Sequence, residues 1–388
     1  MKIRLATIFS GIGAVEFALK RLNINHKLVF ACDNGERDVE YDIEKQKEEL
    51  LKLDSLEKKH DFVEALYESL TKKKNYVEQS YLANYPNLSK KMFYQDVMLL
   101  DGRDFKDKVD LFVGGSPCQS FSSVGFQGGL EDTRGTLFYE FARLVKEIEP
   151  KVFIYENVRN LLNHDHGKTW EIIKKVFDSL GYSYKFDVLN AADYGIPQTR
   201  RRLFVIGFRN DYKMYFNNFV FPPKQKKLLF KMKDFTENFS HFGGMSYNNY
   251  GEIEFDNIPG SVDSKYILSP KLYNYVMKSG TKTFVQKVEI NKDIARTLLK
   301  TMGNRHRAGV DNYVSFDGTE SLGSVRMLTE REAHRLMGFT DDYKIVVSRA
   351  QAYKQAGNSI VVDVLMEILK NIISTGIFNE EGQLLCLH

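Results

Sequence analysis

Cysteine is scarce. Three of the 388 residues, Cys32, Cys118 and Cys386, carry a thiol, and no pair has CxxC spacing. That excludes a disulfide framework and a zinc site built on paired cysteines. No apolar run approaches the ~20 residues needed to cross a bilayer, and no charged-then-apolar segment opens the chain. A membrane protein is therefore excluded and a reducing, cytoplasmic setting is expected. Excess charge is small as well: 55 basic against 51 acidic side chains leave a net +4, so any nucleic-acid surface must be local. No internal repeat is visible. What is present, 43% hydrophobic, 27% charged and 13% aromatic residues, describes a folded chain with a sizeable core.

The order of elements can be read from the apolar runs. Ile3 to Phe9 is β-rich, Ser10-Gly11-Ile12-Gly13 is a glycine turn, and Ala14 to Leu22 has helical spacing. Further short runs, Leu28 to Cys32, Val109 to Val113, Val152 to Tyr155 and Leu203 to Phe208, alternate with helical patterns at Thr136 to Ile148 and Trp170 to Leu180. Strands alternating with helices predict an α/β fold with a doubly wound, mostly parallel sheet. Ligands in such sheets bind beyond the carboxyl ends of the strands, so the residues ending these runs carry the chemistry. Residues 36–80, dense in Lys and Glu, read as a solvated helical insertion. From 211 to 322 the periodicity dissolves into Asn, Gly, Tyr and Phe, with 16 Lys and Arg against 8 acids between 213 and 310. Val325 to Phe339 and Ile360 to Ile373 return to helical spacing.

Two constellations stand at strand ends. In the first, Gly11 and Gly13 let a backbone approach a ligand at a helix N-terminus, but the third glycine of a dinucleotide fingerprint is replaced by Glu16. An acid there repels a pyrophosphate and disfavours a nicotinamide dehydrogenase. A nucleoside without phosphates fits better, with Asp33 placed for ribose hydroxyls; a plain tight turn is the alternative. In the second, Gly114-Gly115-Ser116-Pro117 presents Cys118 to a cleft as a nucleophile, where a buried cysteine would ordinarily be a small hydrophobe. A Ser- and Gly-rich stretch, 119–134, has the length of a lid. Glu156-Asn157-Val158 ends the next strand, and Arg200 and Arg202 share one face of a later one.

Taken in order, these motifs resemble the cytosine-C5 DNA methyltransferases of bacterial restriction–modification systems, almost end to end. The match includes Pro117-Cys118-Gln119, Glu156-Asn157-Val158, Gln198-x-Arg200-x-Arg202, Asp96 after Phe93-Tyr94-Gln95, Asp132 to Phe138, Arg326-Met327-Leu328-Thr329 and Gly357-Asn358-Ser359. It departs from the family at Asp33, where many members have Glu, at Asn34 in place of an aromatic, and in the 36–80 insertion.

The resemblance implies a Rossmann-like, S-adenosylmethionine-dependent catalytic domain, 1–210 plus 323–388, and a smaller irregular target recognition domain, 211–322. It implies Cys118, Glu156, Arg200 and Arg202 as catalytic residues. Phe9, Gly11, Ile12, Gly13, Asp33, Asp96, Pro117, Leu137, Asn358 and Ser359 are the expected cofactor contacts, with S-adenosylhomocysteine as product. Gln119, Ser123, Val124, Arg134 and Thr297 are the expected DNA contacts, joined by Arg305 and Arg307, whose side chains suit guanine edges. Double-stranded DNA is the expected partner of a monomer, with a restriction endonuclease as a genetic partner that need not touch it. No metal is expected, and His164-Asp165-His166 reads as a loop. An RNA cytosine methyltransferase of the same fold and a non-catalytic DNA-binding regulator are the competing readings; the basic 211–322 segment argues against the first and the intact Cys118, Glu156, Arg200 and Arg202 against the second.

The loop holding Arg305 and Arg307 either reads bases or is merely solvated. If it reads bases, Arg305→Ala and Arg307→Ala should each relax one target position, at a cost of about 1–3 kcal/mol of discrimination. Methylation rates on the target and on each single-base variant measure this; equal losses on every sequence would make these arginines backbone ligands.

Overall fold

The computed structural model describes residues 2–117, 137–224, 227–237, 244–256, 258, 260–278, 280–281, 284–285, 288–303 and 309–379. Seven strands form its main sheet: β1 (Ile3–Ile8), β2 (His26–Cys32), β3 (Phe93–Tyr94), β4 (Leu111–Gly114), β5 (Val152–Val158), β6 (Tyr182–Asn190) and, after the short β7 (Gln198–Thr199), β8 (Arg201–Arg209). They lie in the order β3-β2-β1-β4-β5-β8-β6, with β8 antiparallel to both neighbours and the rest parallel. The expected mostly parallel doubly wound sheet is present.

Strict alternation builds the three layers. Leu5, Leu111, Val113, Val152, Ile154, Phe204 and Ile206 face one apolar cluster, which contains α1 (Ala14–Arg21). Ala6, Ile8, Phe112, Phe153, Tyr155, Leu203 and Val205 face the other, beneath α5 (Leu137–Ile148) and α6 (Lys168–Ser179). Strands buried on both faces must be apolar throughout, which is why they were visible as continuous runs. β6 lies at the sheet edge and carries the half-exposed Ser183 and Lys185 and the exposed Asp187; it gave no such run.

Between β2 and β3 the insertion folds as α2 (Ile43–Leu51), α3 (Leu56–Leu70) and α4 (Tyr76–Asn84), each with a side-chain N-cap from Asp42, Ser55 or Asn75. It is helical as expected, but it is not simply a solvated face: Tyr81 is fully buried, and Tyr67, Val63 and His60 are buried.

Beyond β8 the described residues include the short helices α7 (Lys213–Asn218) and α8 (Pro270–Val276), followed by α9 (Glu330–Arg335), α10 (Arg349–Asn358) and α11 (Val362–Ser374). Phe219, Met232, Phe235, Met245, Ala295, Leu298 and Met302, all within 211–322, bury in the same cluster as α1 and α11. A separate small cluster holds Leu268, Val276, Ile290, Tyr313 and Val325. The helix expected from Val325 is shorter than its spacing suggested: Val325–Met327 pairs antiparallel with Tyr313–Ser315, and Thr329 caps α9 in a reciprocal capping box with Glu332.

Glu332 also joins the irregular segment to the sheet domain. Its carboxylate takes Arg326 at 2.8 and 2.7 Å, the Thr329 amide at 2.8 Å and the Glu237 amide at 2.7 Å, and both members of the ion pair are fully buried. Glu332→Gln should therefore destabilise the protein by about 3–5 kcal/mol by leaving the buried Arg326 without its counter-charge. Urea unfolding measures it; a loss under about 1 kcal/mol would show that the pair is not a structural joint.

Candidate active site

Every strand that neighbours β1 delivers residues to one cavity of about 890 Å³, at the point where the strand order reverses between β2-β1 and β1-β4. After β1, Phe9 and Gly11 both take positive φ, 51° and 53°, and turn the chain into α1. Ser10 fastens that turn to β2: its amide donates to the Cys32 carbonyl at 3.1 Å and its Oγ accepts from the Cys32 amide at 3.0 Å. Asp33, at the end of β2, accepts from the Gly11 amide at 2.9 Å through Oδ2 and from the Gly35 amide at 2.8 Å through Oδ1. Burial pushes its carboxyl pKa up, and those two amides oppose the shift. Asp96, following β3, accepts at Oδ2 from Tyr41 (2.5 Å) and Tyr67 (2.6 Å), and at Oδ1 from the Met98 amide (2.9 Å).

The other end of the cavity is formed by β4, β5 and β8. Parallel pairing sets Gly114 beside Tyr155, and antiparallel pairing sets Val158 opposite Arg202, so Glu156 and Arg202 meet at 3.1 Å between Oε1 and Nε. Oε2 of Glu156 lies so close to Gly115 that a β-carbon there would sit 2.8 Å from it. Burial raises the Glu156 pKa, with Arg202 and then Arg200 opposing. Asn157 fixes the chain leading to position 118: its Nδ2 donates to the Ser116 carbonyl at 2.9 Å and to the Tyr155 hydroxyl at 2.8 Å, and that hydroxyl shares a 2.7 Å hydrogen bond with Ser116 Oγ.

Of the expected cofactor contacts, Phe9, Gly11, Ile12, Asp33, Asp96, Pro117, Leu137 and Asn358 line the cavity together with Glu156, Arg200 and Arg202. Gly13 and Ser359 are not among the residues that line it. Gly13, with φ 78°, is a glycine because a β-carbon would lie 2.1 Å from the Tyr85 ring. Ser359 is buried against its own helix cap; its carbonyl accepts from Arg200 at 2.8 Å and its hydroxyl donates to the Ile360 carbonyl at 3.0 Å.

Arg200 differs from Arg202 in its partners. It is buried and donates to the carbonyls of Leu298 (3.0 Å), Gly357 (2.9 Å) and Ser359 (2.8 Å), joining three chain segments behind the cavity. Thr297 Oγ1 donates to the Thr199 carbonyl, and Asn358 Nδ2 donates to Glu36 Oε1 at 2.8 Å. Cys118, Gln119, Ser123, Val124, Arg134, Arg305 and Arg307 lie outside the described residues. Sequence reasoning assigned no role to Asn157, a polar residue in an apolar strand, nor to Tyr41 and Tyr67, although Tyr67 falls in helical register with His60 and Val63. Among the described residues no group of His, Cys, Asp and Glu is placed to hold a metal ion, and no helix is long and apolar enough to cross a membrane.

Residues 3–374 match the family model described as C-5 cytosine-specific DNA methylase. Type II methyltransferase M.HhaI of Haemophilus parahaemolyticus is 37% identical over 270 residues, covering 69% of this chain and 76% of its own. Type II methyltransferase M.SsoII of Shigella sonnei is 34% identical over 305 residues, covering 77% and 72%. Among solved structures, the S. pombe Dnmt2 methyltransferase aligns over 96% of this chain and 98% of its own with a TM-score of 0.63 at 17% identity, a likeness of fold.

The contact at Gly115 gives a direct test of the site. Gly115→Ala should push the Glu156 carboxyl aside and cut turnover by about a hundredfold, while the glycine turn at the other end of the cavity stays intact. Turnover within threefold of the parent would show that the position of Glu156 does not matter.

Proposed function

The chain belongs to the C-5 cytosine-specific DNA methylase family, and on that premise we propose that it methylates C5 of a flipped-out cytosine in a specific duplex sequence, with Cys118 as covalent nucleophile and S-adenosylmethionine as methyl donor. The observation that supports this reading most is the single cavity with two ends. Asp33, Phe9 and Gly11 line a wall suited to a nucleoside without phosphates, and Glu156 with Arg202 lines a wall suited to a polar base. About 890 Å³ holds both.

When bound, the cofactor supplies an electrophilic methyl group. The protein's part is to make C5 nucleophilic. The Cys118 thiolate adds to C6, and the electron pair released from the C5=C6 bond is delocalised toward N3. Glu156 in its protonated form donates to N3 and stabilises that charge. Arg202 holds the carboxyl in place at 3.1 Å and presents its remaining N–H groups to the base carbonyl. Arg200 acts as a positioning residue, fixing the Leu298 and Gly357 backbone that also lines the cavity. After C5 gains the methyl group, its proton leaves to water, the S–C6 bond breaks, and the C5=C6 bond is restored with S-adenosylhomocysteine as the second product.

Cytosine C5 and C6 are closed off inside stacked DNA, so the base must leave the helix. The lid 119–134 closes over it, Gln119 and Arg134 contact DNA, and Val124 or Ser123 enters the space vacated. Residues 211–322, with their basic excess, bind phosphates and choose the sequence, Thr297 contacting the backbone and Arg305 and Arg307 the bases. We further propose a cytoplasmic monomer that protects DNA from a restriction endonuclease, since the relatives named above are type II methyltransferases.

A duplex with 5-fluorocytosine at the target should trap the enzyme, because fluorine cannot leave C5 as a proton. Peptide mass analysis should find the adduct at Cys118, and Cys118→Ser should form none while still binding DNA. An adduct elsewhere, or more than a few per cent of turnover in Cys118→Ser, would overturn the covalent reading. Glu156 works protonated and its pKa is raised, so methyl transfer should be complete below that pKa and fall as pH rises through it. Glu156→Gln, which has no titrating proton, should remove that limb of the profile; an unchanged profile would assign it to another group.

A further inference from the structure

The insertion between β2 and β3 is held at several points on the nucleoside end of the cavity. Tyr41 precedes α2 and Tyr67 lies in the last turn of α3, yet both hydroxyls donate to the same oxygen of Asp96. The Arg37 guanidinium lies 4.6 Å from the centre of the Tyr67 ring and donates to the Gln95 side chain and, at 2.9 Å, to the Asn34 carbonyl. Asn75, the N-cap of α4, donates to the Asp33 carbonyl and to Gln95, each at 2.8 Å. Further along α4, Tyr81 donates to Glu16. Tyr85, at the α4 C-terminus, donates to the Gly13 carbonyl. A segment that served only as a solvated appendage would not fasten itself to both the glycine turn and the residues ending β2 and β3.

The arithmetic at Asp96 gives this a chemical meaning. An ionised carboxylate offers about four acceptor sites. Tyr41 and Tyr67 occupy Oδ2, and the Met98 amide occupies one site on Oδ1, so among the described residues one acceptor site remains on a side chain that lines the cavity. Tyr41, Tyr67, Val39, Val97 and Met98 line the same wall, a largely apolar slot for a flat ring. Asp96 stands where the family resemblance implies an acid near the adenine; we infer that the insertion walls this end of the cavity and that Tyr41 and Tyr67 are positioning residues that fix Asp96 there, so that each hydroxyl adds to the preference for a 6-amino over a 6-oxo purine. The inference rests on the reading of the cavity as the S-adenosylmethionine site.

Calorimetric titration with S-adenosylhomocysteine and with its 6-oxo analogue, S-inosylhomocysteine, tests it on the whole enzyme. Tyr41→Phe and Tyr67→Phe each keep the ring and delete one donor. Each should weaken the adenosyl ligand about five- to tenfold and the inosyl ligand less than twofold, narrowing the preference between them. KM for the methyl donor should rise with kcat unchanged. If both ligands weaken equally, or neither does, in variants whose circular dichroism matches the parent, the tyrosines only pack the insertion and the inference fails. If the parent enzyme binds neither ligand, the cofactor reading itself has failed, which is a separate result.

Discussion

A carboxyl group can be brought out of water into an apolar cleft only if something compensates its desolvation, and at Glu156 that compensation is the Arg202 guanidinium 3.1 Å away. The surrounding architecture follows from this pair. Arg202 reaches Glu156 because β8 runs antiparallel beside β5 with Val158 opposite Arg202. The carboxyl has room because position 115 carries no side chain. The segment leading to Cys118 is held by Asn157, the next residue along β5, through the Ser116 carbonyl. One strand thus places both Glu156 and the chain that leads to position 118.

The end of the cavity proposed for the nucleoside is built by a different means. Asp33 and Asp96 end adjacent parallel strands, and both carboxylates are partnered: backbone amides of the glycine turns hold the first, two tyrosines and an amide hold the second. Burial raises the Asp33 pKa, as it does for Glu156, so both ends of the cavity hold an acid outside its ordinary environment. That clustering is what a site working on proton positions and polar ring edges requires.

The central strands of the sheet, the order of motifs and part of the cavity wall were legible in the sequence, because apolar runs buried on both faces and glycine-rich strand ends are local signals. What was not legible depends on contacts between distant residues. That position 13 must be glycine to leave room for the Tyr85 ring depends on a residue 72 places on. That the Ser359 carbonyl takes Arg200 depends on a residue far back in the chain. The Lys and Glu density of 36–80 hid a buried face set by a few aromatic residues, Tyr67 and Tyr81 among them. Val325 to Phe339 has apolar spacing that suits a helix, and pairing with Tyr313–Ser315 overrode its first turn. In each case tertiary contact outweighed local pattern.

The central claim is that this cavity brings a methyl donor to a cytosine lifted out of duplex DNA. Bisulfite sequencing of DNA from cells expressing the protein, beside cells expressing Cys118→Ser, tests it most directly. The account predicts protected cytosines at one position of one short recurrent sequence, present with the parent protein and absent with the variant. Protection scattered without a common sequence, protection that survives Cys118→Ser, or none with the parent protein would contradict it.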